Sequence, residues 1–241
     1  MLSPFFATRN VSAETVENKP TPLHEQIKTA LENKPYLVLA TAVILYWVAA
    51  SCVYAGLPYV FDYIILGSAG LLFELALYMT LAGFVAIPLW TWLAGKMGKK
   101  KTYSISMLAY CATVLSWVVA EPNQDLLVIG RGILVGLTNT GLLMTAVAML
   151  PDTIEFDHLR TGLRREGIFS GFWMDMEKAG NAMGAIGVGL ILSLMGCGES
   201  ASGRRVEQTD TALNGTRSAY AITSEHLQHV IVVVLHRYRF N

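Results

Sequence analysis

The sequence predicts an all-helical integral membrane protein that crosses the bilayer five or six times. Three observations carry that reading. Of the 241 residues, 53% are hydrophobic and only 15% charged, with a mean hydropathy of +0.44, which is too apolar for an ordinary soluble domain. The apolar residues are gathered into runs that reach or exceed the ~20 residues needed to cross a hydrocarbon core. The charges, in turn, crowd into short stretches between those runs. Formal net charge is zero and no extended basic patch exists, which argues against a nucleic-acid partner. Cys52, Cys111 and Cys197 lack metal-ligand spacing and imply neither a disulfide framework nor a zinc site. The opening residues MLSPFFATRN lack the basic start and apolar core of a secretory signal, so no cleavage is expected there.

Residues 1–34 read as a cytoplasmic segment. Its first ~22 residues are polar, with Pro20 and Pro22 near their end, and suit a flexible tail. Leu23, Ile27 and Leu31 then recur at four-residue spacing among Glu25, Lys28 and Glu32, which predicts a short amphipathic helix along the membrane surface before Lys34-Pro35.

The transmembrane domain occupies 35–241. Spans are expected at about 36–63 and 71–93, followed by GKMGKKK, a basic loop over 95–101 with Lys96, Lys99, Lys100 and Lys101. That cluster lacks Walker A spacing, and the positive-inside rule places it in the cytoplasm. The third span covers 102–120 and the fourth 126–150, with the tight connection EPNQD making them antiparallel neighbours. Thr138, Asn139 and Thr140 lie near the middle of the fourth span, where such groups bind either a solute or a neighbouring helix. Within the same span GILVG, Gly132 to Gly136, offers a small-residue packing face. The fifth span covers 168–195. A polar external stretch and an irregular sixth span over 216–235 complete the domain, the latter interrupted by Ser224, Glu225, His226, Gln228 and His229.

Between the fourth and fifth spans stands a dense charged loop, 151–166, with Asp152, Glu155, Asp157, Arg160, Thr161, Arg164, Arg165 and Glu166. Its arginines assign it to the cytoplasm as well. Acids fill its first half and bases its second, so ion pairs that form in one conformation and break in another would make it a gate latch. A plain solvated connection is the bland reading, because exposed pairs contribute only ~0–1 kcal/mol each.

Charges also enter the fifth span. Asp175, Glu177 and Lys178 fall about ten residues in, some ~15 Å deep at ~1.5 Å per residue, near the middle of a core ~30 Å thick. Asp175 and Lys178 share a face, and Asn181, Ala182 and Ala185 continue the Lys178 stripe. Such a face lines a water-filled cavity, with Lys178 donating to a polar solute or acting as a movable countercharge, or else it forms a salt bridge that pins two helices. Lys178, Glu177, Asp175, Asn181, Asn139 and Thr138 are therefore the candidate substrate and coupling residues. No metal site is expected among them.

PDTIEFDHLRTGLRREG, followed by the lysine within EKAG, resembles the glycoside–pentoside–hexuronide:cation symporters, the melibiose-permease-like branch of the major facilitator superfamily. The likeness covers roughly Tyr36 to Cys197 and matches the C-terminal six-helix half of that fold. It implies symport of a sugar, glycoside or related polar solute across the cytoplasmic membrane, with Lys178 close to the sugar and cation sites. It also implies that the acids binding the coupling sodium, proton or lithium ion lie mainly in an N-terminal half not contained in these 241 residues, so that a fragment, or a half that pairs with a partner chain, is expected. Trp173 and Met174 replace the small polar groups of the melibiose permeases, so melibiose itself is not implied. No cofactor is expected. The rival from another class is a non-transporting membrane module that docks a partner through the charged loop. An intramembrane enzyme is weaker, because no span carries a nucleophile with a paired base, HExxH or a catalytic carboxylate pair.

Overall fold

A computed structural model describes residues 22–194, and those residues form six α-helices with no strand among them. α1, Leu23–Glu32, follows Pro22. α2, Lys34–Val60, starts where Asn33 Oδ1 accepts from the Tyr36 amide at 3.0 Å, with Pro35 in the first turn, where its missing N–H costs nothing. It continues as a π-helical turn, Phe61–Ile65, and stops at Leu66 in a left-handed conformation, φ 56°. α3, Ala69–Met97, is capped by Ser68, whose hydroxyl accepts from Leu71 N at 3.1 Å. α4, Lys99–Leu115, ends in the 3₁₀ turn Ser116–Val119. α5, Asp125–Thr161, and α6, Glu166–Leu194, follow.

Among the described residues four stretches are long and apolar enough to cross a membrane: Lys34–Ile65, Ala69–Met97, Lys99–Val119 and Asp125–Thr161. α6 has the length, at 29 residues, but carries Asp175, Glu177 and Lys178 in its interior. The chain runs up and down through these elements. α5 sits at the centre, packed on α3, α4 and α2, while α6 lies against the opposite side of α2. The tail through residue 21, the external stretch after residue 195 with Cys197, and the sixth span at 216–235 lie outside the described residues.

Both expected loops are corrected. The segment 95–101 is helical except at Gly98, whose φ of 85° makes the whole corner between α3 and α4. The segment 151–166 is helical through Thr161, leaving only 162–165 as connection. Charge marks where a span leaves the bilayer and does not by itself end a helix, because Asp, Glu, His and Arg are all tolerated helix residues. α5 stops where Gly162 turns left-handed, φ 71°, and its amide bonds back to the His158 carbonyl at 2.8 Å. About eleven residues of α5 thus extend ~16 Å beyond Leu150, at ~1.5 Å per residue.

Glycine decides how closely the helices meet. A Cβ on Gly136 would lie 2.0 Å from the Met79 carbonyl oxygen, and one on Gly132 2.2 Å from Leu75, so α3 and α5 touch along the GILVG face. Gly180 and Gly184 do the same for α6 on α2, with a Cβ on Gly184 falling 2.4 Å from the Val48 carbonyl oxygen. Without a hydrophobic drive between helices in lipid, this close van der Waals contact is what holds the bundle.

Candidate functional site

The polar centre of the bundle is a hydrogen-bonded chain between α2 and α5. Tyr46 Oη donates to Asn139 Oδ1 at 2.5 Å, and Asn139 Nδ2 donates to Tyr54 Oη at 3.2 Å. Two tyrosines eight residues apart fall on one face of α2, which is how both reach the same amide. Asn139 and Tyr54 open into a cleft of about 260 Å³ between α2, α3 and α5. Thr80 and Thr140 add hydroxyls, and Met79, Phe84 and Ile87 make the apolar wall. Both threonine hydroxyls donate to their own helix, to Ala76 O at 2.8 Å and Gly136 O at 2.9 Å, which leaves their oxygens as acceptors toward the cleft.

Thr138, one residue before Asn139, is turned about 100° away. It is buried and bonds back to Leu134 O at 2.7 Å, so its hydroxyl is satisfied within α5. Tyr46, Tyr54 and Thr80 escaped the sequence reading, since a tyrosine or threonine in an apolar run is ordinary. Their spacing toward Asn139 is the signal that was available.

α6 presents two different faces. Phe169, Trp173, Gly180, Gly184 and Val188 are buried. On the opposite side Gly171, Asp175, Lys178, Ala182, Ala185 and Gly189 form one uncovered stripe at helical spacing. Lys178 sits about twelve residues, ~18 Å, into a helix some ~43 Å long, close to its midpoint. Among the described residues Lys178 forms no ion pair, neither with Asp175 or Glu177 on its own helix nor with another helix, so the alternative of a pinning salt bridge has no support there. Asn181 is not on this stripe. It is half-buried toward α2, where its Nδ2 donates to Glu177 O at 3.0 Å and its carbonyl accepts from Ser51 Oγ at 2.6 Å. Glu177 is half-buried too, within electrostatic reach of Tyr46. Neither Lys178 nor Asp175 lines the cleft, so the structure divides the expected site residues into a neutral cleft and a charged, open helix face.

A third cluster occupies the end where α1 lies. Lys99 Nζ meets Asp152 at 2.6 Å, which brings the basic α3–α4 corner and the charged extension of α5 to one end of the bundle. Asp157, with 1% of its side chain exposed, pairs with Arg160 at 3.6 Å and Arg165 at 3.9 Å, yet neither of its oxygens accepts a hydrogen bond. Both arginines also reach α1. Arg160 donates to Glu32 O at 3.1 Å and pairs with its carboxylate at 3.8 Å, and Arg165 donates to Thr29 Oγ1 at 3.0 Å. Asn33 Nδ2 adds a bond to Thr153 O at 2.8 Å. α1 is therefore strapped to the end of α5 and to the connection that precedes α6. Thr161 bonds within α5, and Glu155, Arg164 and Glu166 are exposed with no ion pair among the described residues.

Asp157→Ala is expected to cost about 1–3 kcal/mol. That is less than the ~3–5 kcal/mol of a wholly buried pair, because both guanidiniums still reach water. Amide exchange should then speed up across α1 and stay unchanged in mid-α2, whereas exchange that rises equally everywhere would count against a local strap.

Among the described residues no group of three or more His, Cys, Asp or Glu stands together to hold a metal ion. Three known proteins are similar to parts of the chain: an uncharacterised symporter of Synechocystis sp., 27% identical over 220 residues (86% of this chain, 40% of that protein); the isoprimeverose transporter of Lactiplantibacillus pentosus, 27% identical over 195 residues (79% and 40%); and a glucuronide carrier protein homolog of Escherichia coli, 28% identical over 177 residues (72% and 38%). The chain spans about two fifths of the length of these curated relatives. The family model of MFS/sugar transport proteins matches residues 2–241. With the all-helical fold, four apolar spans and transporter-named relatives, this agrees with the resemblance carried by PDTIEFDHLRTGLRREG and EKAG: the chain is a multi-pass membrane protein belonging to the MFS/sugar transport family, a family of transporters and not of enzymes.

Proposed function

We propose that this chain forms one six-helix half of a symporter that moves a sugar, glycoside or related polar solute across the cytoplasmic membrane, coupled to sodium or protons, by alternating access. The observation that carries the reading is the uncovered stripe of α6, which holds Asp175 and Lys178 near the middle of that helix with no ion-pair partner among the described residues. A charge facing lipid at that depth is costly, so the stripe faces water, solute or a second set of helices. The two halves then enclose a cavity, the acids of the other half bind the coupling cation, and Lys178 answers both solute and cation. Relatives named for isoprimeverose and glucuronide support a glycoside as the solute.

The end bearing Lys96, Lys99, Lys100, Lys101, Arg160, Arg164 and Arg165 is assigned to the cytoplasm by the positive-inside rule, since among the described residues the other end carries Asp62, Glu121 and Asp125 with Arg131 as its one Lys or Arg. The strap around Asp157 then lies at the inner mouth, where it works as a latch. Docking of a soluble partner is the weaker alternative, because Asp157, Arg160 and Arg165 are turned onto neighbouring elements.

The test is uptake of labelled methyl glycosides into membrane vesicles that carry the whole transport unit. Accumulation is expected to follow an imposed sodium or proton gradient and to collapse with the matching ionophore. Equilibration that ignores both gradients would sink coupled transport. Arg164 and Arg165 changed together to Ala should slow turnover and leave solute affinity intact, and unchanged kinetics would reduce this segment to a connector.

A further inference from the structure

We propose that the cleft between α2, α3 and α5 is a subsite for one neutral sugar ring, and that it discriminates against a ring bearing a carboxylate. This deepens the transport reading above and rests on it for the solute class. Three observations carry it. The first is size. At about 260 Å³ the cleft falls below the ~300–1,000 Å³ of pockets for drug-sized ligands, which suits a single ring and not a disaccharide.

The second is the inventory of polar atoms. Asn139 uses one amide N–H on Tyr54 and takes the Tyr46 hydroxyl on its oxygen, which leaves its other N–H and a lone pair. Tyr54 accepts from Asn139, so its own O–H proton remains to donate. Thr80 and Thr140 spend their protons on backbone carbonyls and offer oxygens as acceptors. The set therefore mixes donors with acceptors, as a ring of hydroxyls that each donate and accept requires. Buried Tyr46 holds the amide in this orientation, and Phe84 and Ile87 supply the apolar surface against which the C–H face of a ring packs.

The third is charge. Among the described residues no Asp, Glu, Lys, Arg or His lines the cleft, and Lys178 and Asp175 lie on a face that does not contribute to it. A carboxylate brought here would lose its water and gain no cation, a heavy penalty in a partly desolvated site. A neutral ring loses only hydroxyl hydration, which these side chains replace.

The experiment is equilibrium binding to the full chain in lipid nanodiscs, with no ion gradient. The probes are methyl xyloside, methyl glucoside and methyl galactoside, each neutral, beside methyl glucuronoside, which differs from the glucoside by its carboxylate. At least one neutral glycoside is expected to bind saturably, with the glucuronoside about tenfold or more weaker than the glucoside. Asn139→Leu should weaken the neutral ligand about tenfold, the scale set by one polar group left unmatched. Tyr54→Phe, at a position 40% exposed, and Thr140→Val should each weaken it severalfold while leaving the melting temperature unchanged. The subsite is overturned if no neutral glycoside binds, if the glucuronoside binds as well as the glucoside, or if Tyr54→Phe and Thr140→Val leave affinity unaltered in folded protein. Saturable, variant-sensitive binding without gradient-driven uptake in the whole unit leaves the subsite standing and removes the transport reading. Coupled uptake that is indifferent to the cleft variants does the reverse.

Discussion

Lys178→Ala is expected to insert and fold like the parent chain and to lose gradient-driven solute uptake about 10- to 100-fold, the range corresponding to one lost charged hydrogen bond of ~1.5–3 kcal/mol. The structure separates these two outcomes. Lys178 lies on the uncovered stripe of α6, while the packing of that helix rests on Gly180, Gly184 and Val188 against α2. Because the ammonium has no ion-pair partner among the described residues, its removal strands no partner charge there. Uptake assays and thermal melts on the same preparations check both halves of the expectation. Retained uptake would take Lys178 out of the transport site, and a collapsed melting temperature would make it a structural residue.

Gly136→Val is expected to act in the opposite way, through folding, with a loss of about 3 kcal/mol or more. A Cβ at this position would stand 2.0 Å from the Met79 carbonyl oxygen and 3.1 Å from its Cα. Those are backbone atoms, so no rotamer change relieves the clash and α3 must separate from α5. The cleft is built on that interface, with Gly136 itself in its wall, so solute binding should fall together with stability. Gly171→Val is the matched control, since nothing among the described residues lies within 4 Å of a Cβ there. Equal melting temperatures for the Gly136 variant and the parent would show that the helices do not meet as closely as this packing requires.

Of the polar side chains in the cleft, Asn139 alone stood among the candidate substrate residues, and the failures share one cause. Asn139 and Thr138 looked equivalent in an apolar run, and only the rotation of α5 against its neighbours turns one into the cleft and the other onto its own backbone. Asn181 was assigned to the Lys178 stripe, yet it faces Ser51 of α2. The end of α5 was misjudged because polarity reports the edge of the bilayer, while helix termination waits for a backbone signal, here Gly162. The amphipathic spacing of Leu23, Ile27 and Leu31 was readable, but the strap that holds α1 joins Glu32 to Arg160 across 128 positions.

What the sequence by itself determined is therefore what depends on short windows: apolar length, the place of Asp175 and Lys178 along one helix, the glycines that permit close approach, and the motif that carries the family. Hydropathy and helical periodicity act within a few turns, so these need no knowledge of neighbours. Only the tertiary structure decided which polar groups meet. It joined Tyr46, Asn139 and Tyr54 into one hydrogen-bonded chain, left Lys178 on an open face, and turned Asp157 onto two arginines. The physical reason is that a helix fixes the angle of each side chain about its own axis, whereas the rotation and contact distance of one helix against another are set by glycine and side-chain packing between segments far apart in the chain.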